Sequence, residues 1–171
     1  MLFSLNLKNK KILFVGGGKI AERKIIKLLE EKPSIDIISV NVTEKLEKLE
    51  KDGFVKIRKK QFEDDDIGDY DIVFCTSSDR KLNCHIASIC QCKKIMHDNA
   101  SDHNDSDIMM VACVNIRDIN IGISTSGKKP ALSKELKVHL LSDMAHDTFN
   151  FEIAVKQIYK NGIEHYEDSR Q

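Results

Sequence analysis

The stretch GGGKIAERK, residues 16–24, follows the short apolar run KILFV at residues 11–15. The apolar run predicts a buried strand that ends at the glycines. From Lys19 onward, apolar residues recur at helical spacing, and Pro33 predicts the end of that helix. The three glycines therefore lie between a strand and a helix, and the absence of side chains at this point of the backbone needs an explanation.

The spacing of the small residues in this stretch indicates why. Gly16, Gly18 and Ala21 form a Gly-x-Gly-x-x-Ala pattern, which binds dinucleotides where it joins a strand to a helix. The first glycine permits a tight turn, the second lets a pyrophosphate approach the backbone, and the small third residue lets the helix pack on the strand. The helix N terminus then offers N–H groups to the phosphates. The predicted cofactor-binding backbone comprises Gly16, Gly17, Gly18, Lys19 and Ile20.

The rest of the first half alternates between strand and helix patterns. A tight turn without a ligand is the alternative interpretation of the glycines, and this alternation weakens it. The pattern predicts a parallel sheet covered on both faces, which is an α/β fold of the Rossmann type. Further strands are predicted at residues 35–42, 54–62, 71–78 and 93–98, and helices at 43–53 and 79–92.

The second half has a different pattern. Residues 107–126 contain two β-prone runs that predict an antiparallel pair, and Pro130 stands where a helix would begin. A further helix is predicted at residues 149–161. We therefore expect two domains, a nucleotide-binding domain at residues 1–103 and a region of strands and helices at residues 104–171.

Composition limits the classes of partner. The chain of 171 residues carries 27 basic and 27 acidic side chains, so its overall charge favours neither a nucleic acid nor a membrane surface. Its apolar runs are far shorter than the roughly 20 residues of a membrane-spanning helix, and its N terminus lacks a signal pattern. We expect a cytoplasmic protein whose five cysteines are reduced thiols.

Polar residues at predicted strand ends are further candidates for cofactor binding. Asn41 lies at the end of the second strand, where an acid usually binds the adenosine ribose. Asparagine neither repels a 2′-phosphate as an acid would nor attracts one as arginine would, so NAD and NADP both remain open. Thr76 and Ser77 end the DIVFCTSS strand and could contact a ligand there or cap the next helix.

Three segments together resemble one known family. GGGKIAERK, FCTSSDRKLN at residues 74–83 and ISTSGKKPALSKELK at residues 123–137 resemble, in order and spacing, the precorrin-2 dehydrogenase family. That family includes the dehydrogenase and ferrochelatase part of siroheme synthase. The resemblance runs from about Leu5 to Leu141 and implies an NAD-binding Rossmann domain, a small dimerisation region, a helical tail and a homodimer. It also implies NAD-dependent oxidation of precorrin-2 to sirohydrochlorin, with insertion of Fe²⁺ in bifunctional members.

The resemblance also implies which residues act. The family's catalytic aspartate aligns with Ser101, whose neighbour Asp102 is the substitute general base that we predict, although the protein could also work without that acid. The serine-rich segment implies a catalytic or substrate-binding role for Ser124. The same segment implies that Ser126, Gly127 and Lys128 bind the carboxylates of a tetrapyrrole substrate.

The sequence also allows a metal site and two functions other than that of a dehydrogenase. His97 and Asp102 have side chains that suit Fe²⁺, the metal that a chelatase would insert, although their spacing follows no known ligand pattern. A non-enzymatic NAD-sensing domain would share the first half of the chain without needing ISTSGKKPALSKELK. A tetrapyrrole-binding protein with an inactive Rossmann domain would explain the serine at position 101.

Overall fold

The computed structural model describes residues 2–116 and 119–145, which belong to two compact units. One unit comprises Phe3–Met110, and the other contains residue 2 and the described residues from 111 to 145. The first unit thus continues beyond residue 103, and the division that we expect there stays a prediction. The helix predicted at residues 149–161 lies outside the described residues.

The first unit is built on a five-stranded parallel sheet, which confirms the predicted α/β, Rossmann-like fold. The sheet order is β3-β2-β1-β4-β5, so the chain builds outward from β1 and then returns to place β4 on the other side of β1. Ligands of such sheets bind at this reversal point, beyond the carboxyl ends of the strands. The strands are β1 (Lys11–Gly17), β2 (Ser34–Val42), β3 (Lys56–Arg58), β4 (Ile72–Cys75) and β5 (Met96–Asn99).

Three α-helices connect these strands, each near a predicted position. They are α1 (Lys19–Leu28), α2 (Glu44–Lys51) and α3 (Arg80–Lys93), and short 3-10 turns occupy Leu29–Glu31 and Asp64–Ile67. The Thr43 hydroxyl accepts a hydrogen bond from the Leu46 N–H and caps α2 as the sequence predicts. Asp79 caps α3 in the same way, through the N–H groups of Lys81 and Leu82.

The strands alternate their side chains between two apolar layers. Phe14 packs on the side of α1, and its ring stacks on that of Phe74 with centroids 4.5 Å apart. Leu13 and Val15 point to the opposite layer, which contains Ile86 of α3. Both faces of the sheet are therefore buried, as expected for parallel strands with helices on each side.

The second unit contains the predicted antiparallel pair and the helix that follows it. Strand β6 (Ala112–Ile116) pairs with β7 (Ile119–Ile123), and α4 spans Pro130–Ala145. Val114 and Leu140 are buried within this unit. Among the helices of the described residues, none combines the length and the apolar character needed to cross a bilayer.

Candidate functional site

A cleft of about 730 Å³ lies at the carboxyl ends of β1, β2 and β4. It occupies the reversal point of the sheet, where the fold places its ligand. All the predicted cofactor-binding residues line it: Gly16, Gly17, Gly18, Lys19, Ile20, Asn41, Thr76 and Ser77. The structure thus gathers these residues, which are up to about 60 positions apart in the chain, around one cavity.

The first two glycines of the turn between β1 and α1 leave no room for a side chain. Gly16 has φ +105°, and a Cβ atom there would lie 2.5 Å from the carbonyl oxygen of Thr76. A Cβ atom on Gly17 would collide with the side chain of Val42. Both glycines are therefore required by the packing of the turn against neighbouring strands.

Gly18 differs from its neighbours in facing open space. A Cβ atom there would meet nothing within 4 Å, and the backbone has an ordinary extended conformation with φ −82°. Gly18 is the N-cap of α1, and no side chain caps that helix. The first N–H groups of α1 therefore have no side-chain partner, and the space beside Gly18 is open. A dinucleotide pyrophosphate could accept hydrogen bonds from these N–H groups in that space, so the residues of the turn fit a pyrophosphate.

Thr76 and Ser77 contribute to the cleft in different ways. The buried hydroxyl of Thr76 lies 3.1 Å from each of the carbonyl oxygens of Val15 and Gly16, and these two acceptors share its single hydrogen. Thr76 thus holds the glycine turn in place. The Ser77 hydroxyl accepts from the Asp79 N–H at 3.1 Å, so its own hydrogen can still be donated to a ligand.

The wall formed by the end of β2 lacks an acidic side chain. Ser39, Val40 and Asn41 line it, and the Ser39 hydroxyl donates to the Asn41 carbonyl oxygen at 2.7 Å. Lys60 also lines the cleft, with its Nζ 2.9 Å from Asp66. Among the described residues, the single acid lining this cleft is Asp79, which caps α3. This wall offers hydroxyl and amide groups to a ribose without repelling a 2′-phosphate.

The loop after β5 carries both residues predicted in place of the family's catalytic aspartate. Asp102 is about one-third exposed, and its carboxylate accepts from Arg80 at 3.3 Å and from the Asn104 N–H at 3.1 Å. The Ser101 hydroxyl accepts a hydrogen bond of 2.6 Å from Asn83. Neither residue lines the cleft. Their catalytic roles stay predictions.

Asn83 is a residue of this region that our sequence analysis missed. Its side chain is fully buried and bonds to the backbone of Ser77 as well as to Ser101. The signal was present, because position 83 lies at helical spacing from the apolar residues Ile86, Ala87 and Cys90 of the predicted helix. A polar residue on a buried helix face requires partners, and those partners are the loops at the edge of the sheet.

The second predicted metal candidate, His97, lies in a different environment from Asp102. His97 is 1% exposed, with Nδ1 2.8 Å from Asp107 and Nε2 3.7 Å from Asp105, and neither contact has hydrogen-bond geometry. In residues 2–116 and 119–145, no group of three His, Cys, Asp or Glu side chains is placed to hold a metal. The metal site at His97 and Asp102 therefore stays a prediction without geometric support.

The predicted substrate segment lies in the second unit, at the turn before α4. Ser126 and Gly127 adopt positive φ values of +53° and +76°. The Ser124 hydroxyl accepts from the Ser126 N–H at 3.0 Å, and the Lys128 N–H donates to the Thr125 carbonyl at 3.0 Å. These contacts build a compact turn with exposed Ser124, Ser126 and Lys128. Their substrate-binding roles, and a catalytic role of Ser124, stay predictions.

All five cysteines are free thiols, as expected. Burial raises the pKa of the Cys90 thiol to about 11, and burial also raises the pKa of Cys75 far above its usual range. Buried thiols with raised pKa values are poor nucleophiles and poor metal ligands. Cys75 of β4 and Cys90 of α3 therefore belong to the packing of the sheet, whereas Cys84 and Cys92 of α3 are exposed.

Comparison with known proteins identifies similar chains. Residues 3–112 match the family model NAD_binding_7, which is described as "Putative NAD(P)-binding". The chain is 27% identical over 139 residues to a precorrin-2 dehydrogenase of Priestia megaterium, a match that covers 81% of this chain and 68% of that protein. It is 24% identical over 136 residues to a siroheme synthase of Methylococcus capsulatus and spans 29% of that longer protein.

A solved structure has the same architecture. The structure titled "SirC, precorrin-2 dehydrogenase" matches with a TM-score of 0.73 and 26% sequence identity. The match covers 84% of this chain and 70% of that one, so it includes residues of both compact units.

Proposed function

Because the chain belongs to the NAD(P)-binding family whose model matches residues 3–112, we propose that it oxidises precorrin-2 to sirohydrochlorin with NAD. The observation that carries this proposal is the uncapped glycine turn in the cleft, in a chain similar to a precorrin-2 dehydrogenase over 81% of its length. The reaction removes a hydride and a proton from the substrate. The hydride reduces NAD⁺ to NADH, and the proton passes to a base on the protein or in water.

The residues of the cleft have separable tasks in this proposal. The turn at Gly16–Gly18 and the N terminus of α1 bind the pyrophosphate, and the β2 wall binds the adenosine ribose. When bound, the nicotinamide accepts the hydride. Thr76 holds the glycine turn through its contacts with the Val15 and Gly16 carbonyl oxygens, so that the turn would be ready to bind the pyrophosphate. This division predicts that cofactor binding and chemistry respond to different substitutions.

One experiment tests directly whether the protein oxidises precorrin-2 with NAD. Purified protein is mixed with precorrin-2 and NAD, and the absorbance of NADH is followed together with the spectrum of the tetrapyrrole. Stoichiometric formation of NADH and sirohydrochlorin is expected. Binding of NAD or of the tetrapyrrole without turnover would instead support the NAD-sensing or tetrapyrrole-binding alternative, which the serine at position 101 keeps open.

Insertion of Fe²⁺ into sirohydrochlorin belongs to the same proposal as a separate activity. The relatives named siroheme synthase motivate it, although the chain spans 29% of the Methylococcus capsulatus protein. Adding Fe²⁺ and sirohydrochlorin to the purified protein and following the metallated product tests it. We also propose that the protein is cytoplasmic and forms a homodimer. Light scattering in solution tests the dimer, and fractionation of the source cells tests the location.

Asp102→Asn should lower the rate of precorrin-2 oxidation by at least about tenfold, because a positioned base typically contributes that much or more. The amide retains the size of the carboxylate but cannot take up the proton. The initial rate of NADH formation at saturating NAD measures the effect. Asp52→Asn, which makes the same change at the exposed end of α2, is the matched control. A rate equal to that of the control would remove Asp102 from the mechanism.

Asn41→Asp should weaken NADP binding relative to NAD by about tenfold, since the new carboxylate would lie near the 2′-phosphate. Dissociation constants for both dinucleotides, measured by calorimetry, give the ratio. Asn6→Asp adds the same charge on the exposed N-terminal segment and should leave the ratio unchanged. An unchanged ratio in Asn41→Asp would mean that the ribose binds elsewhere in the cleft.

A further inference from the structure

Asn83 connects two loops at the functional edge of the sheet. Its Oδ1 accepts from the Ser77 N–H at 3.1 Å, and its Nδ2 donates to the Ser77 carbonyl oxygen at 2.9 Å. The same Nδ2 donates to the Ser101 hydroxyl at 2.6 Å. Ser77 lines the cofactor cleft after β4, and Ser101 lies in the loop after β5. One side chain thus determines how these loops are placed relative to each other.

The chemistry of the carboxamide makes this arrangement specific. Both hydrogens of Nδ2 are donated, to the Ser77 carbonyl oxygen and to the Ser101 hydroxyl, and an ionised carboxylate could make neither of these two contacts. The third contact, in which Oδ1 accepts from the Ser77 N–H, needs only an oxygen acceptor. The side chain is fully buried, where water cannot replace a lost partner. In addition, the Ser101 N–H donates to the side chain of Asn99 at 3.0 Å, which holds the loop from a second side.

We propose that Asn83 is a positioning residue for the dehydrogenation, which holds the cleft at Ser77 and the loop of Ser101 and Asp102 in one arrangement. This inference rests on the proposed function. Asn83 contacts the cleft wall through Ser77 and the loop through Ser101, and it takes no part in proton or hydride transfer itself. Small errors in the placement of reacting groups reduce rates strongly, so the arrangement should affect kcat more than cofactor binding.

The variant Asn83→Asp tests whether the hydrogen bonds donated by the Asn83 amide are needed for the reaction. It keeps the volume of the side chain but, when ionised, loses both donated hydrogen bonds and places a charge beside the Ser77 carbonyl. We expect kcat to fall at least about tenfold at neutral pH, with a much smaller change in the dissociation constant for NAD. Burial and the facing carbonyl oxygen raise the pKa of the introduced carboxyl. Its protonated form can donate again, so kcat should recover partly as the pH falls.

Tyr70→Phe is the matched control for a general loss of stability. The Tyr70 hydroxyl donates to Asp36 at 2.6 Å and accepts from Arg58, so the change removes comparable hydrogen bonds away from the cleft lining. This variant should lower the midpoint of thermal unfolding while kcat and its pH profile remain those of the wild type. Both variants are assayed where they are fully folded, so that a recovery of kcat at low pH in Asn83→Asp reports on the hydrogen bonds of residue 83 and not on stability.

Ser101→Ala provides a second test that leaves Asn83 and both of its contacts with Ser77 intact. It deletes only the contact with the loop, so kcat should fall about tenfold while NAD binding is retained. Ser101→Thr keeps the hydroxyl and should restore most of the rate.

The outcomes separate this inference from the proposed function. A wild-type protein that does not oxidise precorrin-2 would refute the proposed function. A wild type that does so, with Asn83→Asp equal to it in kcat across the pH range, would overturn the inference alone. If Asn83→Asp does not fold, an unchanged kcat in Ser101→Ala would overturn it in the same way.

Discussion

Gly16→Ala is expected to destabilise the protein by at least about 3 kcal/mol and to abolish NAD binding. The residue has φ +105°, which is unfavourable for alanine, and the new methyl group would lie 2.5 Å from the Thr76 carbonyl oxygen and 2.6 Å from the Ser77 nitrogen. These are backbone atoms of the two residues directly after β4, so they cannot move aside as the end of a flexible side chain would. Urea denaturation measures the free energy of unfolding, and calorimetry measures NAD binding.

Substitutions of two other glycines distinguish the effect of a positive φ from the effect of a steric clash on stability and NAD binding. Gly53→Ala introduces a methyl group at a positive φ of +79° with nothing within 4 Å, so it should cost only about 1 kcal/mol. Gly18→Ala has neither strain nor a clash, and it should fold like the wild type while binding NAD poorly, because its methyl group occupies the space of the pyrophosphate. If Gly16→Ala were no less stable than Gly53→Ala, the close approach to β4 would not matter.

Asp98→Ala is expected to cost about 3 kcal/mol of stability. The Asp98 carboxylate lies 2.6 Å from Lys24 Nζ, and the two side chains are 6% and 14% exposed. Lys24 also lies 5.4 Å from the centroid of the Phe74 ring. Removing the carboxylate leaves an ammonium group largely buried against the sheet without its counter-charge. Denaturant unfolding of both proteins at the same pH measures the difference.

An exposed ion pair and a double variant provide the controls. Glu47→Ala breaks a pair with Lys59 at 2.6 Å, but these side chains are 40% and 56% exposed, so the loss of stability should be much smaller than that in Asp98→Ala. Lys24→Met combined with Asp98→Leu should recover most of the stability lost in Asp98→Ala, since no charge remains buried. Equal losses in Asp98→Ala and Glu47→Ala would show that the buried pair contributes no more than a surface pair.

The fold could be predicted because its signals are local. The apolar runs, the glycines after β1 and the alternation of strands and helices each occupy a short window, and parallel sheets with this alternation have few topologies. The glycine turn could be located for the same reason. Its three small residues have separate tasks, and the spacing alone indicates them: Gly16 makes the turn, Gly18 leaves space, and Ala21 packs fully buried in α1.

The rest depends on contacts between distant segments. Lys24 and Asp98 are 74 positions apart, and nothing in either segment indicates that they meet. Asn83 appears in the sequence only as a polar residue on a buried helix face, and its partners depend on how two loops fold against α3. Interpreting Ser101 depended on a family resemblance, because a loop residue has no periodicity that would indicate its role.

The two walls of the cleft differ in how they are anchored. The glycine turn continues β1, which is paired on both sides by β2 and β4 and tied to Thr76, so this wall cannot open without disrupting the whole sheet. Another part of the cleft lining, Lys60–Phe62, follows the three-residue strand β3, which among the described residues pairs with β2 alone. Local opening should therefore cost least there. Dinucleotide entry and release should occur over this edge, and the rate of cofactor exchange should depend on the contacts of Lys60 more than on the glycines.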